Sequence, residues 1–302
     1  HRGRADGRGA LAQGMKSIED IELLLPKTLA EALGLQADEK TRGIPVAGGT
    51  DLMVQWQSAV RPVPDRAISV KSLKELQGIR DGGATVEIGA GTTHAELRAS
   101  QLVQKSIPGL AAAAATVGGL QIQAMGTIGG SLANASPAGD LTPALLVAGG
   151  QVVVASASGE RFIALSKFFL GYRKIDLRPE ELIIRIAINK LPAGYREGYR
   201  KLGPRVSQAI SKVMANYRGH TEGRRVTRFA VALGSVAPTA IRLPDLEAWI
   251  AGKTVDEAVL DEAEKLAAES VQPIADIRST AEYRKWVSGR LVRGFLEELV
   301  GG

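Results

Sequence analysis

Two glycine-rich segments carry the residue types from which a ligand site could be built. In Pro45-Val46-Ala47-Gly48-Gly49-Thr50-Asp51-Leu52, an apolar run leads into a glycine pair and then a helical start. Glycines turn tightly and bring several backbone N–H groups to one point, and such a nest before a helix suits a phosphate. Thr50 adds a hydroxyl donor. A plain strand-to-helix turn with Asp51 as N-cap explains the same residues, and this segment alone leaves both readings open.

The second segment is Gly126-Thr127-Ile128-Gly129-Gly130-Ser131-Leu132-Ala133-Asn134-Ala135-Ser136-Pro137-Ala138-Gly139-Asp140. Its small side chains allow close approach, and Thr127, Ser131, Asn134 and Ser136 offer hydroxyls and an amide. It reads as a loop suited to a long neutral ligand with sugar or ribityl hydroxyls and ring carbonyls. Asp140 is the only formal charge across residues 106–159. It reads as the N-cap of the following helix, a role compatible with ligand binding.

Other chemistries are excluded or weak. The chain of 302 residues has no cysteine. It therefore has no disulfide, thiolate zinc site, cysteine nucleophile or cysteine-held iron–sulfur cluster of its own. Histidine is limited to His1, His94 and His220, so no metal site is expected. Redox chemistry would need a bound cofactor. Gly89-Ala90-Gly91 imitates a dinucleotide fingerprint, but His94 holds the third glycine position. His94 itself reads as a surface or capping histidine without a nucleophile partner, and Met125 as core. There is no Walker loop and no serine-centred elbow. No catalytic residue is assigned.

The net charge of +6 is scattered, which implies a solvated surface and no nucleic-acid partner. Residues 1–14 carry Arg2, Arg4, Arg8 and Asp6 among glycines and read as a tag or upstream tail, with Met15 as the start. The next residues, Lys16-Ser17-Ile18-Glu19-Asp20, place acids where a leader needs apolar residues, so a cytoplasmic location is expected. Prolines, glycines and amides break residues 106–159, and no membrane span is expected.

The elements that must position these segments follow from periodicity. Helices are expected over 27–35, 51–60, 93–100 and 108–125, the last because it is alanine-rich and opens on Pro108. Strands are expected at 44–47, 67–70, 85–90, 152–155, 161–165 and 182–188. Longer strands follow at 195–202, 209–216 and 226–236. Capping boxes are read at 72–75, 254–257 and 279–282. Val287, Leu291, Phe295 and Leu299 give the last helix one apolar face. Strands grouped before helices imply an antiparallel sheet with helices on one side.

Together the two segments resemble the FAD-binding subunit of the molybdenum hydroxylases, of the carbon monoxide dehydrogenase medium-subunit and xanthine dehydrogenase type. Supporting matches are Gly171-Tyr172-Arg173-Lys174, Pro179-Glu180-Glu181-Leu182-Ile183 and Tyr199-Arg200-Lys201-Leu202-Gly203-Pro204-Arg205. The resemblance runs from Met15 to about Leu299. It implies an α+β chain: a two-sub-domain FAD-binding fold over 15–190, divided at about 75, then a three-stranded antiparallel sheet with helices over 191–302. It implies that Ala47, Gly48, Gly49, Thr50, Asp51 and Leu52 hold the FAD pyrophosphate. Thr127, Ile128, Gly129, Gly130 and Ser131 would form the second wall. Asn134 and Asp140 would bond the polar middle or ring end, Ile183 would pack on the flavin ring, and Lys201 would lie near the ring edge. It further implies partners: a molybdenum-cofactor large subunit, a [2Fe–2S] small subunit, and NAD+, a quinone or dioxygen as electron acceptor. A stand-alone FAD-dependent reductase of the same superfamily is the alternative.

Overall fold

The computed structural model describes residues 16–301; the expected tail at 1–14 and start at Met15 lie outside the described residues. The chain is α+β and begins with a small parallel sheet in the order Glu22–Leu24, Arg66–Ser69, Ile44–Val46. Its middle strand buries Ala67 and Ile68. Helices Leu29–Ala37 and Leu52–Gln57 make the crossovers that parallel strands require.

A five-stranded antiparallel sheet follows, ordered Ile79–Asp81, Thr85–Gly89, Leu182–Asn189, Gly150–Ser156, Gly159–Ala164. Both of its faces are covered, so its inner strands are apolar almost throughout. Val152 and Val154 face a helical layer with Leu97, Leu110 and Ile128. Val153 and Ala155 face the small parallel sheet through Ile68 and Leu73. In the central strand, Ile183 and Ile186 lie in the same core although they are three residues apart. The register shift between Ile183 and Arg185 absorbs the extra residue and turns Ile183 to that face.

The last unit is an antiparallel sheet in the order Arg196–Leu202, Val213–Glu222, Arg225–Gly234, Ile241–Arg242. Helices Glu257–Glu269 and Ala281–Val300 cover it, with Tyr217 against Phe295 at 4.7 Å between ring centroids. The sheet has three long strands, as expected, and a fourth of two residues that the sequence reading lacked.

Several local expectations are corrected. The helix expected over 108–125 is two, Pro108–Ala115 and Leu120–Met125, because Gly118 turns the chain at φ +51° and the Gln123 amide ties Ala115 and Val117 carbonyls. The strand expected at 209–216 begins at Val213. Gln208 before it sits at φ +50°, which no strand accommodates, and Arg205 folds onto the Ser207 and Gln208 carbonyls. None of the three capping boxes forms as read. Asp256 caps Glu257–Glu269 and Thr280 caps the last helix. Residues 72–75 open only a 3-10 turn, Lys74–Leu76, and the Glu75 carboxylate accepts the Leu29 N–H at 2.9 Å.

Candidate functional site

The strand Ile44–Val46 delivers the first glycine segment to the edge of the small sheet. Gly49 takes φ +68°, so the turn needs a residue free in the left-handed region. Gly48 is required for a different reason. A Cβ there would stand 1.8 Å from the Met125 carbonyl oxygen, so the two glycine segments touch backbone to backbone. Asp51 begins the helix Leu52–Gln57 but makes no side-chain cap; its carboxylate instead accepts the Gln55 amide.

The second segment is not a loop throughout. Thr127 Oγ1 accepts the Gly130 N–H at 3.0 Å and caps a helix, Ile128–Asn134, which ends on Ala135 in the left-handed conformation. The glycines serve close packing here. Gly129 N–H donates to Ala90 O at 2.9 Å, and a Cβ on Gly129 would stand 2.7 Å from Ala90. The corner Gly89-Ala90-Gly91, discounted as a dinucleotide fingerprint, is thus the seat on which this helix is built.

Between the segments lies a cavity of about 750 Å³. All the residues that the resemblance assigns to the FAD site line it except Ile128 and Lys201. The Ile128 side chain is fully buried in the core behind the wall. Lys201, on the strand Arg196–Leu202, stands behind Asp140: its ammonium donates to Asp140 Oδ2 at 2.7 Å and to Thr116 O at 2.9 Å. Met125, expected in the core, is more than one-third exposed and takes Lys71 on its sulfur.

Asp140 lies on the cavity wall but is not the N-cap expected of it. The helix Thr142–Ala148 starts after Leu141 without a side-chain cap. The carboxylate turns toward the last sheet, where Lys201 and the Tyr199 hydroxyl, 3.5 Å away, donate to it. Tyr199 also meets the Thr116 hydroxyl at 3.2 Å. Burial pushes the Asp140 carboxyl up to about 6, against the opposing pull of the Lys201 ammonium.

The wall includes residues the sequence reading passed over. Arg173, in the turn between strands Phe169–Gly171 and Lys174–Ile175, reaches Asn134 Oδ1 at 2.9 Å. Gln208, Ala209 and Ile210 approach from the last unit. His94, read as a surface or capping histidine, is neither: Thr93 is the cap, and His94 is 4% exposed with its Nδ1 without a partner. Burial alone holds its pKa down to about 4. Arg173 belonged to a motif quoted for the family resemblance, whereas no periodicity marked His94 or Gln208.

A dinucleotide with a flat ring fits this donor set. The glycines at 48–49 and 129–130 let the two segments pack closely around the cavity, and Thr50, Ser131 and Asn134 present polar groups to it. Val117, Ile183 and Leu177 supply apolar wall.

Residues 19–191 match the family model described as the FAD binding domain in molybdopterin dehydrogenase. The chain belongs to this flavoprotein family. Residues 198–299 match a second model, the CO dehydrogenase flavoprotein C-terminal domain. The chain is 30% identical over 278 residues to the carbon monoxide dehydrogenase medium chain of Hydrogenophaga pseudoflava, covering 90% of this chain and 94% of that protein. It is 30% identical over 300 residues to the nicotinate dehydrogenase FAD-subunit of Eubacterium barkeri, covering 94% and 99%. Its fold superposes on a chain of reconstituted CO dehydrogenase from Oligotropha carboxidovorans with a TM-score of 0.88 at 27% identity, covering 95% and 99%. The chain is accordingly an FAD-binding subunit of the oxidoreductase class. Among the described residues, no helix is long and apolar enough to cross a membrane, and no group of three His, Cys, Asp or Glu side chains could hold a metal ion.

Proposed function

We propose that this chain is the electron-transfer flavoprotein subunit of a heteromeric, cytoplasmic molybdenum hydroxylase, with FAD held in the cavity between the two glycine segments. The backbone contact of Gly48 with Met125 carries this reading, because it brings both segments to one continuous cavity. Bound FAD would supply the step between one-electron and two-electron carriers, taking electrons from [2Fe–2S] clusters and delivering them to NAD+, a quinone or dioxygen. The protein's part is to hold and orient that group. Residues 47–52 would present backbone donors to the pyrophosphate, and Thr127, Gly129, Gly130 and Ser131 would close the opposite wall. Asn134 and Asp140 would bond the polar middle, with Lys201 holding Asp140 in place from behind. Ile183 would meet the ring. We further propose that residues 15–190 form the FAD-binding domain, with 191–302 as a second domain that closes one side of the cavity.

The chain has no cysteine, so iron–sulfur clusters would belong to a small partner subunit and the molybdenum cofactor to a large one. Affinity purification of the native complex, with flavin, iron and molybdenum analysis, tests this. Recovery with two partners carrying iron and molybdenum is expected. The isolated chain is expected to retain flavin and to hydroxylate nothing. Substrate-dependent flavin reduction by the pure isolated chain would establish a stand-alone reductase instead.

A further inference from the structure

His94 opens the helix His94–Ala99 and is buried on the cavity wall. Its backbone N–H donates to Gly126 O at 3.0 Å. A Cβ placed on Gly126 would meet the imidazole Cδ2 at 3.0 Å and Nε2 at 3.2 Å. The Nε2–Cδ2 edge of the ring therefore lies over Gly126. The preceding carbonyl, that of Met125, is the one against which Gly48 packs. The imidazole edge thus stands next to the junction of the two glycine segments. Nδ1, on the other side of the ring, is buried and makes no hydrogen bond.

That orphaned nitrogen decides the tautomer. A neutral imidazole has one donor and one acceptor nitrogen. A buried N–H without a partner is rarer and costlier than a buried acceptor lone pair. The proton therefore sits on Nε2. A second proton would place a charged, unpaired N–H in the apolar interior. No charged group offsets this. The helices Pro108–Ala115, Leu120–Met125 and Ile128–Asn134 contain no titratable residue, and Gln101–Ser106, packed on the helix His94–Ala99, carries only the exposed Lys105. Glu96 closes the capping box on Thr93, Arg98 is bonded to Gln123, and Lys71 reaches Met125. Asp51 and Arg61 line the same cavity, yet the depression of the His94 pKa has burial as its one cause.

We propose that His94 is a cofactor-binding residue whose neutral imidazole donates a hydrogen bond from Nε2 to an oxygen of the FAD diphosphate. This rests on the reading of the cavity as the FAD site. A fixed neutral donor adds to the backbone nest at residues 47–50 without a charge that changes with pH.

The test titrates the flavin-stripped chain with FAD, ADP and riboflavin, comparing the parent with His94→Leu and His94→Gln. His94→Leu replaces the ring with an apolar side chain in an apolar setting, and its apoprotein is expected to melt no lower than the parent. Its affinity for FAD and for ADP is expected to fall about tenfold, the size of one hydrogen bond to a charged group. That ratio stays the same from pH 5.5 to 8, and riboflavin binding is unchanged. His94→Gln keeps an N–H donor and most of the affinity. Long-range ¹⁵N NMR of the imidazole is expected to show the neutral Nε2–H tautomer over that range, with and without FAD. A His94→Leu chain that binds FAD and ADP like the parent overturns the proposal. So does a loss confined to riboflavin, or an imidazolium signal at pH 6. A parent chain that takes up no FAD overturns the cavity reading and this role with it. Normal uptake with an unaffected His94→Leu overturns this role alone.

Discussion

Asp140 is held by the sheet opposite it, not by the helix that follows it. It shares a buried ion pair with Lys201, at side-chain exposures of 10% and 8%. Removing one partner of such a pair leaves the other charge uncompensated and costs about 3 kcal/mol, whereas a lost helix cap costs about 1 kcal/mol. Asp140→Asn is therefore expected to lower urea stability by the larger amount, and adding Lys201→Met should restore most of it. A loss near 1 kcal/mol, with no rescue, would return Asp140 to the role of a cap. His94 gives the residue scale a pH signature. Its folded pKa of about 4 lies below the unfolded value of 6.5, so between those values the unfolded chain binds more protons. Its contribution to stability is complete above pH 6.5 and is lost as pH falls toward 4. The parent should lose about 3 kcal/mol more than His94→Leu across that window, by the size of the shift. Parallel stability–pH curves for the two chains would show that His94 is not buried neutral.

At the scale of elements, two helix starts separate what the sequence says from what the backbone chooses. Thr254 and Glu257 stand at capping-box spacing, but Asp256 lies one residue before the helix and accepts the Val259 N–H at 2.8 Å. Asp256→Ala is expected to cost about 1 kcal/mol and Thr254→Ala close to nothing; thermal melts that rank them the other way would contradict this start. The same competition explains what was legible and what was not. Strands with both faces buried, such as Leu182–Asn189 and Gly150–Ser156, show as apolar runs and were located from sequence to within two residues at each end. The glycine segments were visible because close backbone approach permits nothing larger, as Gly48 against Met125 illustrates. The helix Ile128–Asn134 was hidden by that same glycine content, since it is stabilised by its Thr127 cap and its docking on residues 90–92 rather than by propensity. His94 and Gln208 enter the cavity through tertiary packing, which leaves no periodic trace.

At the scale of the whole molecule, the cavity depends on how the last sheet sits against the helices of the preceding unit. Strand Arg196–Leu202 carries that joint. Glu197, its side chain fully buried, accepts the Arg218 guanidinium at 2.8 Å and the Gly109 N–H at 3.2 Å. Arg218 also donates to the Asn189 and Lys190 carbonyls, which stitches the sheet to the end of strand Leu182–Asn189. Gly109 must be glycine, because a Cβ would stand 2.3 Å from the Glu197 carboxylate and 2.1 Å from the Asn216 amide. Two residues and four residues further along the strand, Tyr199 and Lys201 reach Thr116 and Asp140 on the cavity side. The structural joint and the support of Asp140 on the cavity wall therefore come from one strand. Glu197→Gln keeps an acceptor for Gly109 but removes the charge facing Arg218, and should cost about 3 kcal/mol. Adding Arg218→Met removes the stranded cation and should recover much of that stability. Because Lys201 and Tyr199 shift with the strand, the single variant should also purify with less FAD than the parent, and the double variant with more than the single. Urea titration and flavin content decide it. A Glu197→Gln chain as stable as the parent would show that the pair does not hold the joint, and one destabilised yet fully loaded with FAD would show that the joint does not shape the cavity.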